Sequence, residues 1–164
     1  MFSWSNWFKP KPTIERRVNC GVAVMILDRD FKMLMGKRKG SHGAGTWAFP
    51  GGWVRHGETL DETLRREALE ETGLIVEPNL AKIASVGNTR FEEEDLQSVT
   101  ILMRVFPGRW TGTPVVKEPG KLDGEWQWFE TGRPPIPLFG SLQELDFNSL
   151  TLAYRGWLPH ESIQ

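Results

Sequence analysis

The segment Leu60–Glu71 constrains the fold more than any other part of this chain. Its apolar positions recur at helical spacing, which predicts an amphipathic α-helix. At about 100° per residue, Leu64, Glu67 and Glu71 all fall within about 40° of Leu60. Two carboxylates therefore share the stripe that the apolar residues turn toward the interior.

The ends of this helix are also marked in the sequence. Thr59 and Glu62 have the pattern of a capping box at its start, and Gly73 supplies a stop at its end. A salt-bridged surface helix, with Glu62 paired to Arg66, would explain most of its charges. It does not explain acids on the inward face, because closely spaced buried carboxylates repel one another unless a cation neutralises them. A hard divalent cation does so, since Mg²⁺ takes one or two carboxylates together with substrate phosphates.

The spacing of residues around the helix is specific. Gly52 is followed after five residues by Glu58, and after a further seven by the run Arg66-Glu67-Ala68-Leu69-Glu70-Glu71-Thr72-Gly73-Leu74. This pattern resembles the Nudix box, with Ala68 as a small member of the aliphatic position. The resemblance implies an α/β protein, the Nudix α/β/α sandwich with a mixed β-sheet, in which the box forms a loop–helix–loop that binds metal and diphosphate.

The resemblance extends over roughly residues 18–145. Gly36–Gly45, Pro50–Gly52 and Glu125–Trp128 are similar to the MutT-like nucleotide diphosphatases, and to their human and plant cytosolic nucleoside triphosphate diphosphatase subgroup in particular. This resemblance implies a pyrophosphohydrolase that cleaves nucleoside triphosphates, modified or oxidised ones included, to monophosphate and pyrophosphate. Two alternatives stay open: hydrolysis of another diphosphate, such as a nucleoside diphosphate conjugate or an isoprenyl diphosphate, and a binding module of Nudix fold without catalysis.

The resemblance also implies the metal site. Glu67 and Glu71 are the expected principal ligands, with the Gly51 carbonyl as a third, and Mg²⁺ is the expected ion, with Mn²⁺ able to substitute. Glu70 is expected to be either a ligand or the base that activates water. Glu118, in a later loop, is a further candidate ligand.

The remaining roles follow position by position. Glu58 is expected to support the metal cluster and Arg66 to orient the helix carboxylates, so the catalytic candidates are Glu70, Glu67, Arg66 and Glu58. Arg38 would meet phosphate or the base edge, or else is a surface charge of its loop. Phe139 would be an aromatic wall for the base, opposite Phe49 or Trp47, or else a core residue. The substrate-binding candidates are Arg38, Phe49, Gly52, Thr100 and Phe139.

Departures from the subgroup fall at substrate-facing positions. Trp53 and Arg55 replace a histidine and an acidic residue, and Gly140 replaces a tryptophan of the base pocket. The window at which related ADP-ribose hydrolases carry a proline reads Asn88-Thr89-Arg90. Catalytic chemistry therefore transfers by resemblance, whereas base specificity does not.

Composition limits the binding partners and the cellular compartment that we expect. A net charge of −1 argues against a general nucleic-acid or membrane-surface binder, and a single cysteine, Cys20, excludes an internal disulfide. We expect a small-molecule nucleotide as partner, no stable nucleic-acid partner, no membrane, a cytoplasmic location and, from the resemblance, a homodimer. The expected organisation is a tail over 1–13, the Nudix domain over 14–146 and a second tail over 147–164.

Local patterns predict the other elements. Val18–Asp28 and Phe31–Lys37 are expected to form a hairpin, and Leu138–Leu145 a second helix. Cys20 lies in an apolar run, so a buried thiol is expected. The other expected strands are Trp47–Phe49, Leu80–Asn88, Val99–Phe106 and Glu125–Phe129.

Overall fold

The computed structural model describes residues 17–40, 43–92, 95–143, 145–147 and 150. One principal helix, α1, spans Leu60–Glu67, and a short 3₁₀ helix spans Gly140–Leu142. The strands of the described residues are β1 Val18–Ile26, β2 Lys32–Lys37, β3 Trp47–Ala48, β4 Gly51–Trp53, β5 Ile75–Val76, β6 Lys82–Phe91, β7 Leu96–Val105, β8 Trp110–Thr111 and β9 Gln127–Glu130.

The largest sheet is mixed and has the order β4-β1-β7-β6. Strand β1 pairs in parallel with β7 along its whole length, from Val18 opposite Gln97 to Ile26 opposite Val105. Strands β4 and β6 are antiparallel to their neighbours. Apolar residues follow one another along β1 because this strand is central and is buried on both faces in its second half. The expected mixed sheet is confirmed.

Strand β2 belongs to a second sheet, of order β3-β2-β9. The expected turn after β1 is present, and the amide of Phe31 donates to the carbonyl of Asp28 at 3.0 Å. The expected hairpin is reduced to a bridge between Leu27 and Met33. The reason is that β4 and β7 already occupy both edges of β1, so β2 pairs elsewhere.

Helix α1 begins as predicted. Its N-cap Thr59 accepts the Glu62 amide at 3.2 Å, and the Thr59 amide donates to the Glu62 carboxylate at 2.8 Å. The helix continues through Ala68–Thr72 as a single π-helical turn and ends at Gly73, whose φ of 75° is left-handed. The predicted extent and stop of the helix are confirmed. The π-helical turn carries Glu71, and such turns inside α-helices are frequent at functional sites.

Two apolar clusters lie on opposite faces of β1. Val22, Val24 and Ile26 pack on the side of α1, with Leu64 and Ala68. Met25 and Leu27 pack on the other side, in a cluster with Met33, Met35, Leu102, Leu142, Phe147 and Leu150. This alternation is the period-two pattern of a strand buried on both faces. Phe147 and Leu150 are helical, so the sheets lie between helical residues on both sides.

Two local predictions are wrong. Of Leu138–Leu145, only Gly140–Leu142 is helical among the described residues. The amide of Phe139 donates to the carbonyl of Trp47 at 2.9 Å, so this backbone is extended along β3 and cannot begin a helix. Cys20 is exposed rather than buried. Val18, on the same face of β1, is also exposed, whereas Val22 is buried, so burial of that face begins only at Val22.

The predicted tails fall mostly outside the described residues: 1–13 entirely, and 147–164 except Phe147 and Leu150. The domain boundaries therefore stay predictions, as do the homodimer and the cytoplasmic location. Within the part of the chain that the structure describes, no helix combines the length and apolar content needed to span a membrane.

Candidate active site

A cavity of about 650 Å³ lies at the junction of β1, β4 and the α1 segment. Pockets that hold drug-sized ligands fall in the range of about 300–1,000 Å³. Most of the predicted site residues line it, namely Arg38, Phe49, Gly51, Gly52, Glu67, Glu71, Thr100 and Phe139. Glu58, Arg66 and Glu70 do not line it, but they are joined to Glu67 through hydrogen bonds of Arg66.

Glu71 is held on both carboxylate oxygens. Its Oε2 accepts the Gly51 amide at 2.9 Å, and its Oε1 accepts the Lys121 ammonium at 3.2 Å. Its side chain is only 10% exposed. Burial raises the pKa of Glu71, and the Gly51 amide and Lys121 oppose that rise. Gly51 therefore contacts Glu71 through its N–H, while its carbonyl as a metal ligand stays a prediction.

Glu67 is buried against the backbone of β4. Its carboxylate is paired with the Arg66 guanidinium. A β-carbon added at Gly52 would lie 2.6 Å from the Glu67 Cδ, well inside van der Waals contact. Glycine is therefore required at position 52 for the Glu67 carboxylate to occupy its place in the cavity wall.

Arg66 joins the carboxylates of the box. It binds Glu58 through two parallel hydrogen bonds, from Nε at 2.6 Å and from Nη2 at 2.9 Å. Its Nη2 also donates to the Trp53 carbonyl at 3.0 Å, which ties the helix to the end of β4. The hydrogen bonds between Arg66 and Glu58 lower the pKa of Glu58 to about 2 and raise the pKa of Arg66. Such a network is what the predicted orienting role of Arg66 requires.

Glu70 lies on the outer side of this network. Its carboxylate accepts from Arg66 at 3.2 Å and from Arg55 at 3.4 Å, and its side chain is 42% exposed. It is outside the cavity lining, whereas Arg55 is part of that lining. The role of Glu70 as a ligand or as the base stays a prediction.

Another part of the cavity wall is aromatic and basic. Phe139 stacks on Phe91, with ring centroids 5.5 Å apart and planes inclined by 26°. The Arg38 guanidinium lies 4.4 Å from the Phe139 ring centre. Phe49 also lines the cavity, but Trp47 does not and packs edge-on against Phe129 at 5.0 Å. Phe91 is thus the ring that stacks on Phe139, and the placement of Phe49 opposite Phe139 across the base stays a prediction.

Residues 19–141 match the NUDIX domain. The chain belongs to the Nudix hydrolases. The expected family, the α/β fold and the assignment as an enzyme are confirmed.

Several relatives of this Nudix hydrolase are informative. An oxidized purine nucleoside triphosphate hydrolase of Danio rerio is 34% identical over 118 residues, which cover 70% of this chain and 69% of that one. An ADP-ribose pyrophosphatase of Methanocaldococcus jannaschii is 50% identical over 50 residues, which cover 30% of each chain. The crystal structure of a MutT NUDIX hydrolase from Burkholderia pseudomallei superposes with a TM-score of 0.67 at 28% identity, covering 75% of this chain and 91% of that one.

Several cavity residues of this Nudix hydrolase were not among the predicted site residues: Trp53, Arg55, Phe91, Ser98 and Lys121. The sequence did mark Trp53 and Arg55, because both depart from the subgroup pattern at substrate-facing positions. No sequence feature marked Phe91 or Lys121, because Phe91 contacts Phe139 and Lys121 contacts Glu71 across about 50 positions of the chain.

The donor chemistry fits a divalent cation. Glu67 and Glu71 both present hard oxygen atoms to the cavity, and Mg²⁺ completes a set of one or two carboxylates with substrate phosphates and water. In the described ranges, no three carboxylate, imidazole or thiol groups converge on one point. Glu118 is not part of the lining of this cavity but lines a smaller adjoining pocket together with Glu71 and Lys121, and its carboxylate forms an ion pair with Lys121 at 2.5 Å. Its role as a ligand stays a prediction.

Proposed function

We propose that this Nudix hydrolase cleaves nucleoside triphosphates, oxidised purine nucleotides included, to nucleoside monophosphate and pyrophosphate with the help of Mg²⁺, for which Mn²⁺ can substitute. The observation that carries the proposal is that one cavity holds both a carboxylate pair, Glu67 and Glu71, and an arginine–aromatic group, Arg38 with Phe139. A nucleotide has the matching halves, a polyphosphate that needs cations and a base that stacks.

The carboxylate half supplies the catalytic machinery. A divalent cation held by Glu67 and Glu71 would neutralise phosphate charge and lower the pKa of the attacking water. The chain's own task is to hold the carboxylates: Arg66 positions Glu67, and the Gly51 amide positions Glu71. Glu70 is either a further ligand or the base that takes the proton from water.

The other half supplies affinity for the base. Stacking of a base on an aromatic ring contributes about 1–3 kcal/mol. Phe139 and Phe91 form one aromatic group in the wall, and the Arg38 guanidinium beside them is a donor for a phosphate oxygen or a base edge. Burial lowers the pKa of Arg38 while Glu71 raises it, and arginine remains a cation in proteins. Arg38 therefore brings a fixed positive charge to the substrate.

The name of the Danio rerio relative supports oxidised purines as the first substrates to test. The exposed Trp53 and Arg55 in the cavity lining are substrate-facing departures, so the base preference must be measured directly. The test is a product assay on the full chain with Mg²⁺. The panel is dGTP, 8-oxo-dGTP, 2-oxo-dATP, ATP, ADP-ribose and an isoprenyl diphosphate.

Chromatography of the nucleotides, with separate assays for pyrophosphate and orthophosphate, identifies the bond cleaved. We expect monophosphate and pyrophosphate in equal amounts, with an oxidised purine nucleotide among the best substrates. Glu71→Gln and EDTA are the controls, and both should abolish release. Orthophosphate from the terminal position as the main product would overturn the proposal.

A second candidate is hydrolysis of a nucleoside diphosphate conjugate. The short but close similarity to an ADP-ribose pyrophosphatase favours it, although that match covers only 30% of either chain. This candidate predicts AMP and ribose 5-phosphate from ADP-ribose, at a kcat/KM above that of every triphosphate in the panel.

A further inference from the structure

Lys121 lies between two carboxylates at the edge of the cavity. Its Nζ is 3.2 Å from Glu71 Oε1 and 2.5 Å from Glu118 Oε2. The Lys121 side chain is 58% exposed, whereas that of Glu71 is 10% exposed. Lys121 thus places a largely exposed cation on a buried anion.

The charge of Lys121 is secure in this position. Lysine side chains titrate at about pH 10 in water, so the ammonium is charged at neutral pH, and the carboxylates of Glu71 and Glu118 both lie within ion-pair distance of it. The ammonium therefore supplies a full positive charge to the Glu71 oxygen at neutral pH.

The backbone at Lys121 is anchored without its side chain. The Lys121 carbonyl accepts the Lys39 amide at 2.7 Å, and the Asp123 amide donates to the Lys37 carbonyl at 2.8 Å. The Lys121 amide closes a turn onto the Glu118 carbonyl at 3.0 Å. The ammonium can consequently leave Glu71 by side-chain rotation, while the loop keeps its place.

We propose that Lys121 is a built-in counter-ion that holds the Glu71 carboxylate when no metal is bound, and that a divalent cation must displace its ammonium in order to bind Glu71. This inference rests on the proposed metal-dependent function. An ammonium and a dication cannot share one carboxylate oxygen without strong repulsion. Lys121 therefore competes with the metal, and because it lines the cavity, its displaced ammonium would be available to phosphate oxygens.

The test is Mn²⁺ binding by the full chain without nucleotide, measured by electron paramagnetic resonance at pH 8, where carboxylates are ionised. Loss of a competing, half-exposed ion pair should make Lys121→Met bind Mn²⁺ about three- to tenfold more tightly. Lys121→Gln is a second neutral variant and should behave alike. Lys37→Met is the matched control, because Lys37, at the end of β2, pairs with Asp123 at 3.8 Å and does not line the cavity. Its Mn²⁺ affinity should equal that of the wild type.

Thermal unfolding gives a second readout without catalysis. In EDTA, Lys121→Met should melt below the wild type because Glu71 loses its counter-ion, and saturating Mn²⁺ should raise its melting temperature more than that of the wild type. Unchanged or weaker Mn²⁺ binding in both neutral variants would overturn the counter-ion role alone. Absence of Mn²⁺ binding by the wild type and by both neutral variants would likewise overturn the counter-ion role, whereas the proposed metal dependence is overturned separately, by pyrophosphate release that persists in EDTA.

Discussion

Gly51 and Gly52 allow a sharp test of the site, because the same substitution meets different obstacles at adjacent positions. A β-carbon at Gly52 collides with the carboxylate of Glu67, the far end of a side chain. A β-carbon at Gly51 collides with the carbonyl of Val22, the backbone of the paired strand β1. A side chain can turn away, whereas a paired strand cannot.

The magnitudes follow from the contacts. In Gly52→Ala the Glu67 Cδ lies 2.6 Å from the new atom, so the carboxylate must move by about 1 Å, a displacement that costs about a hundredfold in rate at a catalytic site. The stability cost should stay near 1 kcal/mol, or about 2–4 °C in melting temperature. In Gly51→Ala the clash with backbone should cost about 3 kcal/mol, or about 6–12 °C.

Steady-state kinetics of pyrophosphate release and thermal unfolding of the same preparations measure the loss of rate and the loss of stability separately. Gly120→Ala is the control, because nothing lies within 4 Å of its added β-carbon, and it should change neither quantity. The reasoning is refuted if Gly52→Ala keeps kcat within tenfold of the wild type, or if it loses as much melting temperature as Gly51→Ala.

Three further predictions follow from the site. Glu71→Gln should lower kcat at least about a hundredfold with the fold intact, since an amide is a poor ligand for a hard dication; near-normal turnover contradicts the ligand role. Phe139→Leu should raise KM for nucleoside triphosphates about tenfold and leave a diphosphate substrate without a base unaffected; equal losses on both, with a large fall in melting temperature, would make Phe139 a core residue. Because Arg66 lowers the folded-state pKa of Glu58 from 4.5 to about 2, the stabilisation from Glu58 is present above pH 4.5 and is lost as the pH falls through about 2. The melting-temperature difference between wild type and Glu58→Gln should accordingly be constant above about pH 5 and shrink toward pH 2, and a difference independent of pH contradicts this pairing.

The sequence by itself determined the box helix. Its cap at Thr59, its stop at Gly73 and the inward placement of Glu67 and Glu71 all depend on residues within a few turns of one another. Contiguous periodicity and backbone preference suffice for such features. The mixed sheet followed from the box by resemblance, because the family pattern implies the fold.

The tertiary structure alone decided which distant groups meet. Lys121 reaches Glu71, and Phe91 stacks on Phe139, only because the sheet and the loop after β8 bring these segments together. Leu138–Leu145 shows the same dependence, since pairing of its first residues with Trp47 overrode a local helical preference. Local propensity is worth a fraction of a kcal/mol per residue, so strand pairing and burial prevail wherever the two disagree.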